Sequence, residues 1–224
     1  GISFCYPWRN YQNDVLKNLD SHLDNKHLHL VAPPGSGKTV LGLEVMLRLN
    51  QPTLIIAPTL AIRNQWVSRF RDLFLQTEQM PDWISTDLRN PKFMTVTTYQ
   101  GLHALFQDSG TREDSEELDD EIADDDATFE LTDKEQARKR FFAQNFQTLI
   151  LDEAHHLRTS WWRTCISVKS QLEEPTIVAL TATPPYDVGK AEWDKYIELC
   201  GPIDEEIEVA ALVKEGDLCP HQDY

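Results

Sequence analysis

The sequence predicts an α/β fold in three layers, with a mostly parallel central sheet covered on both faces by helices. Three observations point there. Short apolar runs recur at 28–32 (LHLVA), 53–57 (TLIIA), 93–97 (FMTVT), 147–151 (QTLIL) and 176–180 (TIVAL). Runs without polar alternation suit parallel strands buried on both faces. Segments with helical spacing stand between them, which is the alternation of an open, doubly covered sheet. Finally, the segments richest in chemistry begin where these runs end, and such sheets place their ligands at the carboxyl ends of strands.

Each element follows from its residues. Residues 39–49 (TVLGLEVMLRL) set Leu43, Met46 and Leu47 on one helical face. The strand at 53–57 starts after the Gln51-Pro52 break, and 60–75 reads as a helix carrying Trp66, Phe70, Leu73 and Phe74. Helices are predicted over 98–106, over 133–144 with Asp133 as N-cap, and over 189–200. The acidic stretch 108–126 holds eleven carboxylates against Arg112 alone, with only Leu118, Ile122 and Ala123 as apolar residues. It cannot bury enough surface to offset its ordering entropy. We read 108–132 as a disordered acidic insertion within one domain spanning 1–224. A solvated loop is the plainer reading, and mimicry of a phosphate backbone is the other.

The 224 residues suit one large domain, or one and a half, and 41% apolar content is enough for a core. The formal charge is −16, from 37 acidic and 21 basic side chains. That excludes a simple basic nucleic-acid-binding module, though not a local basic strip. About 20 consecutive apolar residues are needed to span a membrane, and runs here stop near five. The first ten residues lack the pattern of a secretory leader, and Gly1 in place of Met suggests a trimmed start. Cys5, Cys165, Cys200 and Cys219 are far apart, which reads as free thiols in a cytoplasmic protein. Cys219 with His221 lacks two further zinc ligands, and His22, His27 and His29 read as surface or loop histidines.

Residues 32–39 read APPGSGKT between a strand and a helix, the phosphate-loop pattern with Ala32 in place of its first glycine. Gly35 and Gly37 let the chain wrap so that successive N–H groups point inward. Pro34, Ser36 and Val40 complete the candidate cradle, and the helix behind it offers its positive end. Lys38 can reach the β- and γ-phosphates of ATP, and the Thr39 hydroxyl can reach Mg²⁺. Residues 149–156 read LILDEAHH, so Asp152 and Glu153 end a strand. The first acid suits a metal held through water; the second suits an attacking water. His155 is expected to contact the segment 181–184 (TATP), where Thr181 and Thr183 can bridge His155 and Asp152 to another surface. His156 reads as structural.

Taken in order, APPGSGKT, LDEAH and TATP resemble motifs I, II and III of superfamily 2 helicases and translocases of the DEAH-like kind. The restriction-enzyme motor subunits and DNA-repair translocases are the nearest likeness. The resemblance covers nearly the whole chain and implies the first RecA-like domain of a P-loop NTPase motor that uses ATP and Mg²⁺. It assigns catalysis to Lys38, Asp152, Glu153 and His155, metal binding to Thr39 and Asp152, and coupling to Thr181 and Thr183. Arg9-Asn10-Tyr11-Gln12 resembles the element whose glutamine reads adenine, which carries over to Gln12, with Arg9 and Tyr6 as weaker candidates beside the base. Residues 57–66 and 96–102 resemble motifs Ia and Ib, which touch nucleic-acid backbones. Pro58, Thr59, Arg63, Thr98 and Tyr99 are then candidate contacts, made without reading bases. For Tyr99 a helix start packed on the sheet is an equal alternative.

The family pairs two RecA-like domains, and 40 residues follow TATP with no arginine beyond Arg163. The expectation is a chain whose second motor domain, with its arginine finger, lies elsewhere in a longer protein. Alone it should hydrolyse ATP weakly. The polymer expected is DNA, double-stranded before RNA. The alternative is a P-loop ATPase switch that acts on protein partners without nucleic acid, which the acidic charge favours.

Overall fold

The computed structural model describes residues 1–108, 131–155, 157–214 and 216, with the side chains of 131 and 132 left aside. Two short helices, α1 (Asn10–Lys17) and α2 (Leu19–Leu23), lead into β1 (His27–Val31), α3 (Lys38–Leu49), β2 (Thr53–Ala57) and α4 (Leu60–Phe70). A π-helical turn, Arg71–Leu75, closes α4. Then come β3 (Ile84–Ser85), β4 (Met94–Thr98), α5 (Tyr99–Phe106), α6 (Leu131–Ala143), β5 (Thr148–Asp152), α7 (Thr159–Gln171), β6 (Thr176–Thr181), α8 (Lys190–Cys200), β7 (Glu205–Glu206) and α9 (Val209–Lys214). Among the described residues the seven strands form one sheet in the order β3-β4-β2-β5-β6-β1-β7. Every pairing is parallel.

Alternation along the strands divides the core in two. Leu28, Leu30, Ile55, Ile150, Val178 and Leu180 face one layer, with Tyr11, Leu41, Leu43, Trp66 and Phe70 of α1, α3 and α4. Leu54, Ile56, Leu149, Leu151, Ile177 and Ala179 face the other, with Tyr99, Leu102, Phe141, Val168 and Leu199 of α5 to α8. Both faces of the central strands are covered, as their unbroken apolar runs require. Two helices start on hydroxyl caps at strand ends. Thr59 Oγ1 accepts from the Ile62 N–H at 3.2 Å, and Thr98 Oγ1 from the Gly101 N–H at 3.0 Å.

Several expectations need correction. His27 and His29 are not loop residues: they lie in β1 and are 8% and 0% exposed. Burial is tolerated because their rings are hydrogen-bonded. His27 Nε2 lies 2.7 Å from the Pro202 carbonyl, and His29 bridges the Gly201 carbonyl and the Tyr196 hydroxyl, each at 2.7 Å. Burial also lowers the pKa of His29, so the neutral ring is favoured. Asp133 is not a cap, since α6 starts at Leu131 and Asp133 falls in its first turn. The expected acidic insertion, over 109–130 and the side chains beyond to 132, lies outside the described residues. No described helix is long and apolar enough to cross a membrane.

Gly42 sets how closely α3 approaches α4. A Cβ there would stand 2.8 Å from both Leu180 Cδ1 and Trp66 Cη2. An alanine gains about 1 kcal/mol of helix propensity over glycine, while overpacking costs about 1–3 kcal/mol, so those effects nearly cancel. A valine adds volume without that gain. Gly42→Val should therefore lower the melting temperature by roughly 5 °C or more, on the scale of about 2–4 °C per kcal/mol for a chain of this size. An unchanged melt would show that α3 can slide off the indole.

Candidate functional site

The phosphate-loop sequence leaves β1 through one further rung, Ala32 N–H to the Thr181 carbonyl at 3.0 Å. Gly35 and Gly37 then take φ values of 72° and 92°, conformations that side chains disfavour. Three successive carbonyls turn toward the N-terminal segment. Arg9 Nη1 donates to Gly35 O at 2.8 Å, Tyr11 Oη to Ser36 O at 2.7 Å, and Gln12 Nε2 to Gly37 O at 3.0 Å. In a trans peptide the next N–H points the opposite way. The N–H groups of Gly37 and Lys38 are thereby aimed away from α1, in series with the free amino end of α3. That is an anion-binding nest at a helix N-terminus.

Inside the loop, Ser36 Oγ is fully buried and has no hydrogen-bond partner among the described residues. A buried hydroxyl without a partner is costly, and a phosphate oxygen would satisfy it. Lys38 Nζ donates to the carbonyls of Ala32 at 2.7 Å and Pro33 at 3.2 Å, and lies 3.9 Å from Glu153 Oε1. Burial lowers its pKa, and the charges of Glu153 and Asp152 oppose that shift.

The acids arrive from β5, two strands away. Asp152 shares the strand parity of Ile150, so it faces the layer that holds α3 and α4. Its Oδ2 accepts from the indole N–H of Trp66 at 2.8 Å, and its carbonyl accepts from the Tyr99 hydroxyl at 2.9 Å. Burial raises its pKa to about 6, against the Trp66 hydrogen bond; the neighbouring Glu153 adds to the rise. Glu153 is opposite in character. Its φ of 49° turns the chain sharply at the strand end. Its Oε2 accepts from Thr181 Oγ1 at 2.8 Å, and its Oε1 from the Ala182 N–H at 2.9 Å. Burial pushes its pKa up, but His155, Thr181, Lys38 and the Ala182 amide together bring it below the usual value. The result is an oriented anion beside a lysine.

His155 joins the strand end to the segment after β6. Its Nδ1 lies 3.1 Å from Glu153 Oε2 and from Thr181 Oγ1, and its Nε2 lies 3.3 Å from Thr183 Oγ1. Thr181 and Thr183 thus meet His155 directly, and it is Glu153, not Asp152, that Thr181 holds. His156 lies outside the described residues. Pro34 and Gly35 are exposed at the loop tip, Thr39 is half-buried and Val40 is buried in the core. Such a set fits Mg²⁺, which takes one or two protein oxygens and completes its shell with water and phosphate. Thr39 and Asp152 are the residues that would supply those oxygens.

The remaining candidates scatter. Gln12 is 3% exposed, and its Oε1 also accepts from the Arg9 N–H at 2.9 Å. Its amide holds the loop and keeps one N–H for a further partner. Tyr6 is 62% exposed. Pro58, Thr59 and Arg63 lie at the β2–α4 turn, where Thr59 is exposed and the other two are half-buried. Thr98 is the buried cap of α5. Of the two equal readings of Tyr99, its burial favours the helix start packed on the sheet: it is 1% exposed, and its hydroxyl donates to the Asp152 carbonyl. Spacing places Trp66 in a helix, while its bond to Asp152 emerges only in the fold. The signal was available, because a buried indole N–H needs an acceptor.

A family model described as "Type III restriction enzyme, res subunit" matches residues 6–186. The chain is 29% identical over 196 residues to the DNA 3'-5' translocase XPB2 of Sulfurisphaera tokodaii, covering 87% of this chain and 34% of that protein. It therefore spans about a third of the length of that curated relative. Among solved structures, the Hef helicase domain of Pyrococcus furiosus superposes with a TM-score of 0.55 at 17% identity, over 89% of this chain and 37% of that one. A hypothetical ATP-dependent RNA helicase from Sulfolobus tokodaii gives 0.56 at 18%, over 89% and 53%. At such identities these two show the fold, which is that of a RecA-like helicase domain.

The raised pKa of Asp152 has a measurable consequence. In the unfolded chain the group ionises near the ordinary aspartate value of 3.8, and in the fold near 6, so the unfolded state loses its proton first. Stability contributed at this position is therefore highest below pH 4 and falls as pH rises to about 6. Asp152→Asn keeps an acceptor for Trp66 and removes the buried charge. It should stabilise the metal-free chain at pH 7.5 by on the order of 2 kcal/mol, or roughly 5 °C in melting temperature. The gain should vanish near pH 4. A destabilised variant at pH 7.5 would contradict the burial cost assigned to this carboxylate.

Proposed function

The chain belongs to the family of type III restriction enzyme Res subunits, and from that premise we propose that it binds ATP with Mg²⁺ and hydrolyses it to drive movement on double-stranded DNA. It is a superfamily 2 helicase-type motor domain, the first RecA-like one. The observation that carries the proposal is one cluster built from three strand ends. Lys38 of the loop lies 3.9 Å from Glu153, and Glu153 is bonded to Thr181 and Ala182 of the TATP segment.

Each group has a task in that reading. The N–H groups of Gly37 and Lys38 and the amino end of α3 receive phosphate oxygens. Lys38 supplies positive charge, and Thr39 and Asp152 hold the metal. Magnesium, when bound, neutralises charge on the β- and γ-phosphate oxygens. Glu153 orients the water that attacks the γ-phosphorus and takes up its proton. His155, Thr181 and Thr183 keep Glu153 aimed and report its state to the surface beyond. Gln12 retains an N–H for the adenine edge, with Arg9 and Tyr6 nearby in sequence. Pro58, Thr59, Arg63 and the turn at Thr98 are the proposed backbone contacts for DNA. Tyr99 we leave in the core.

A second RecA-like domain, outside this chain, would complete the site. The share of XPB2 that the chain spans supports this. So does the placing of the arginine and lysine nearest the loop: Arg9 is bound to the Gly35 carbonyl, and among the described residues Lys38 is the one lysine or arginine within ion-pairing distance of Glu153. Without an arginine finger, rates typically fall by about 10³–10⁵, so the chain alone should turn over slowly. Unpaired buried thiols at Cys165 and Cys200 fit a cytoplasmic setting. The net charge of −16 supports the second reading, a switch for protein partners.

ATP turnover with and without a DNA duplex separates the two. The motor reading expects a severalfold rise with duplex, and no response to DNA or RNA would favour the switch. Glu153→Gln should keep nucleotide affinity within a few-fold and lower turnover by at least about 100-fold, in the range of a lost general base. Full turnover in that variant would remove Glu153 from the chemistry.

A further inference from the structure

Trp66, the last residue of the stretch that resembles motif Ia, is a large side chain that reaches the β5 strand end at Asp152 and packs where α3 meets β6. Its indole is fully buried. Its Nε1–H donates to Asp152 Oδ2 at 2.8 Å. The far edge of its ring stands against Gly42 of α3, whose missing side chain makes room for it, alongside Leu180, the residue before Thr181. Trp66 also sits seven residues after Thr59, which caps α4 at the turn that follows β2. Two helical turns, about 10 Å of rigid helix, join that turn to the carboxylate.

We propose that Trp66 is a positioning residue for Asp152, and that through it α4 links the β2–α4 turn to the metal-holding carboxylate. This rests on the metal role given to Asp152 above. One indole N–H on Oδ2 holds the carboxylate by that oxygen, and Oδ1 would be the oxygen offered to a metal. A buried carboxylate without that donor is free to rotate and lacks a partner. Groups that hold a metal ligand in this way typically alter metal affinity by about 10–100-fold when removed. The indole is carried on α4 itself and packs beside Gly42 and Leu180, so a displacement of α4 at its amino end would carry the ring with it. The turn's occupancy by a polymer would then change the aim of Asp152.

The test titrates Mg²⁺ into the chain with a fluorescent ADP, for wild type and Trp66→Phe, with a thermal melt as fold control. The half-saturating Mg²⁺ concentration should rise about tenfold or more in the variant, while affinity for ADP without Mg²⁺ stays within twofold. A folded variant with wild-type Mg²⁺ dependence overturns the proposal. Should Trp66→Phe unfold, the wild-type chain labelled with ¹⁵N-tryptophan answers instead. The Trp66 indole resonance should move when Mg²⁺ is added to the ADP complex and again when a 20-base-pair DNA duplex is bound. A resonance still under Mg²⁺ overturns the positioning role, and one still under bound duplex overturns the link through α4. Failure of the wild-type chain to bind ADP at all would overturn both this proposal and the ATPase reading. Normal binding with an indifferent Trp66 overturns this proposal alone.

Discussion

The register of three parallel strands holds the site together. Pairing of β5 with β6 sets Asp152 opposite Leu180, and pairing of β6 with β1 sets Thr181 opposite Val31. The segments that leave those ends are the acids, the TATP turn and the phosphate loop. A slip of one residue in β5 would turn Asp152 to the α5–α8 face and bring Leu151 under α3. Every apolar side chain of the strand would change layers with it, so the hydrophobic division of the core enforces the chemistry at its edge. The Ala32–Thr181 rung extends that enforcement one residue into the loop.

Two neighbouring carboxylates acquire opposite characters from that frame. Asp152 keeps the strand conformation and points into a dry layer, where one indole N–H is its hydrogen-bond donor and burial dominates. Glu153 has left the strand with φ at 49°, a conformation that costs about 1–3 kcal/mol for such a residue. The turn is kept by what it gains. Its N–H donates to the Leu180 carbonyl at 2.9 Å, and its carboxylate collects Thr181, Ala182 and His155. Strain and a buried charge sit side by side where the phosphates are proposed to lie. A fold selected only for stability would remove both.

The layered sheet was legible because buried parallel strands read as unbroken apolar runs, and the boundaries at 53–57 match β2 residue for residue. The phosphate loop was legible because its glycines and lysine have few other uses in that context. The rest was hidden for identifiable reasons. Strands β3 and β7 are two residues each, too short to show a period. Helix α1 has only Tyr11, Val15 and Leu16 as buried apolar residues, and α7 carries Trp161 and Trp162 on a poorly separated pattern. Burial of His27 and His29 depends on carbonyls some 170 residues away, which no local reading reveals. The candidate site divides in the same way. Lys38, Asp152, Glu153, His155 and Thr181 were named and lie together, whereas Trp66 and Tyr11 act through distant partners. For Tyr99 the sequence leaves a backbone contact and a packed helix start equally open, and burial against the sheet favours the second.

Equilibrium binding of Mg²⁺-ADP to the chain and to Lys38→Ala probes the nucleotide site at its centre, because Lys38 joins the loop to the acids without forming part of the core. Measurable binding by the wild type is expected, with a loss of about tenfold to a hundredfold in the variant, the range for a charged hydrogen bond removed. Equal binding by the two proteins, with melting temperatures unchanged, would show that the nucleotide does not lie between the loop and Glu153.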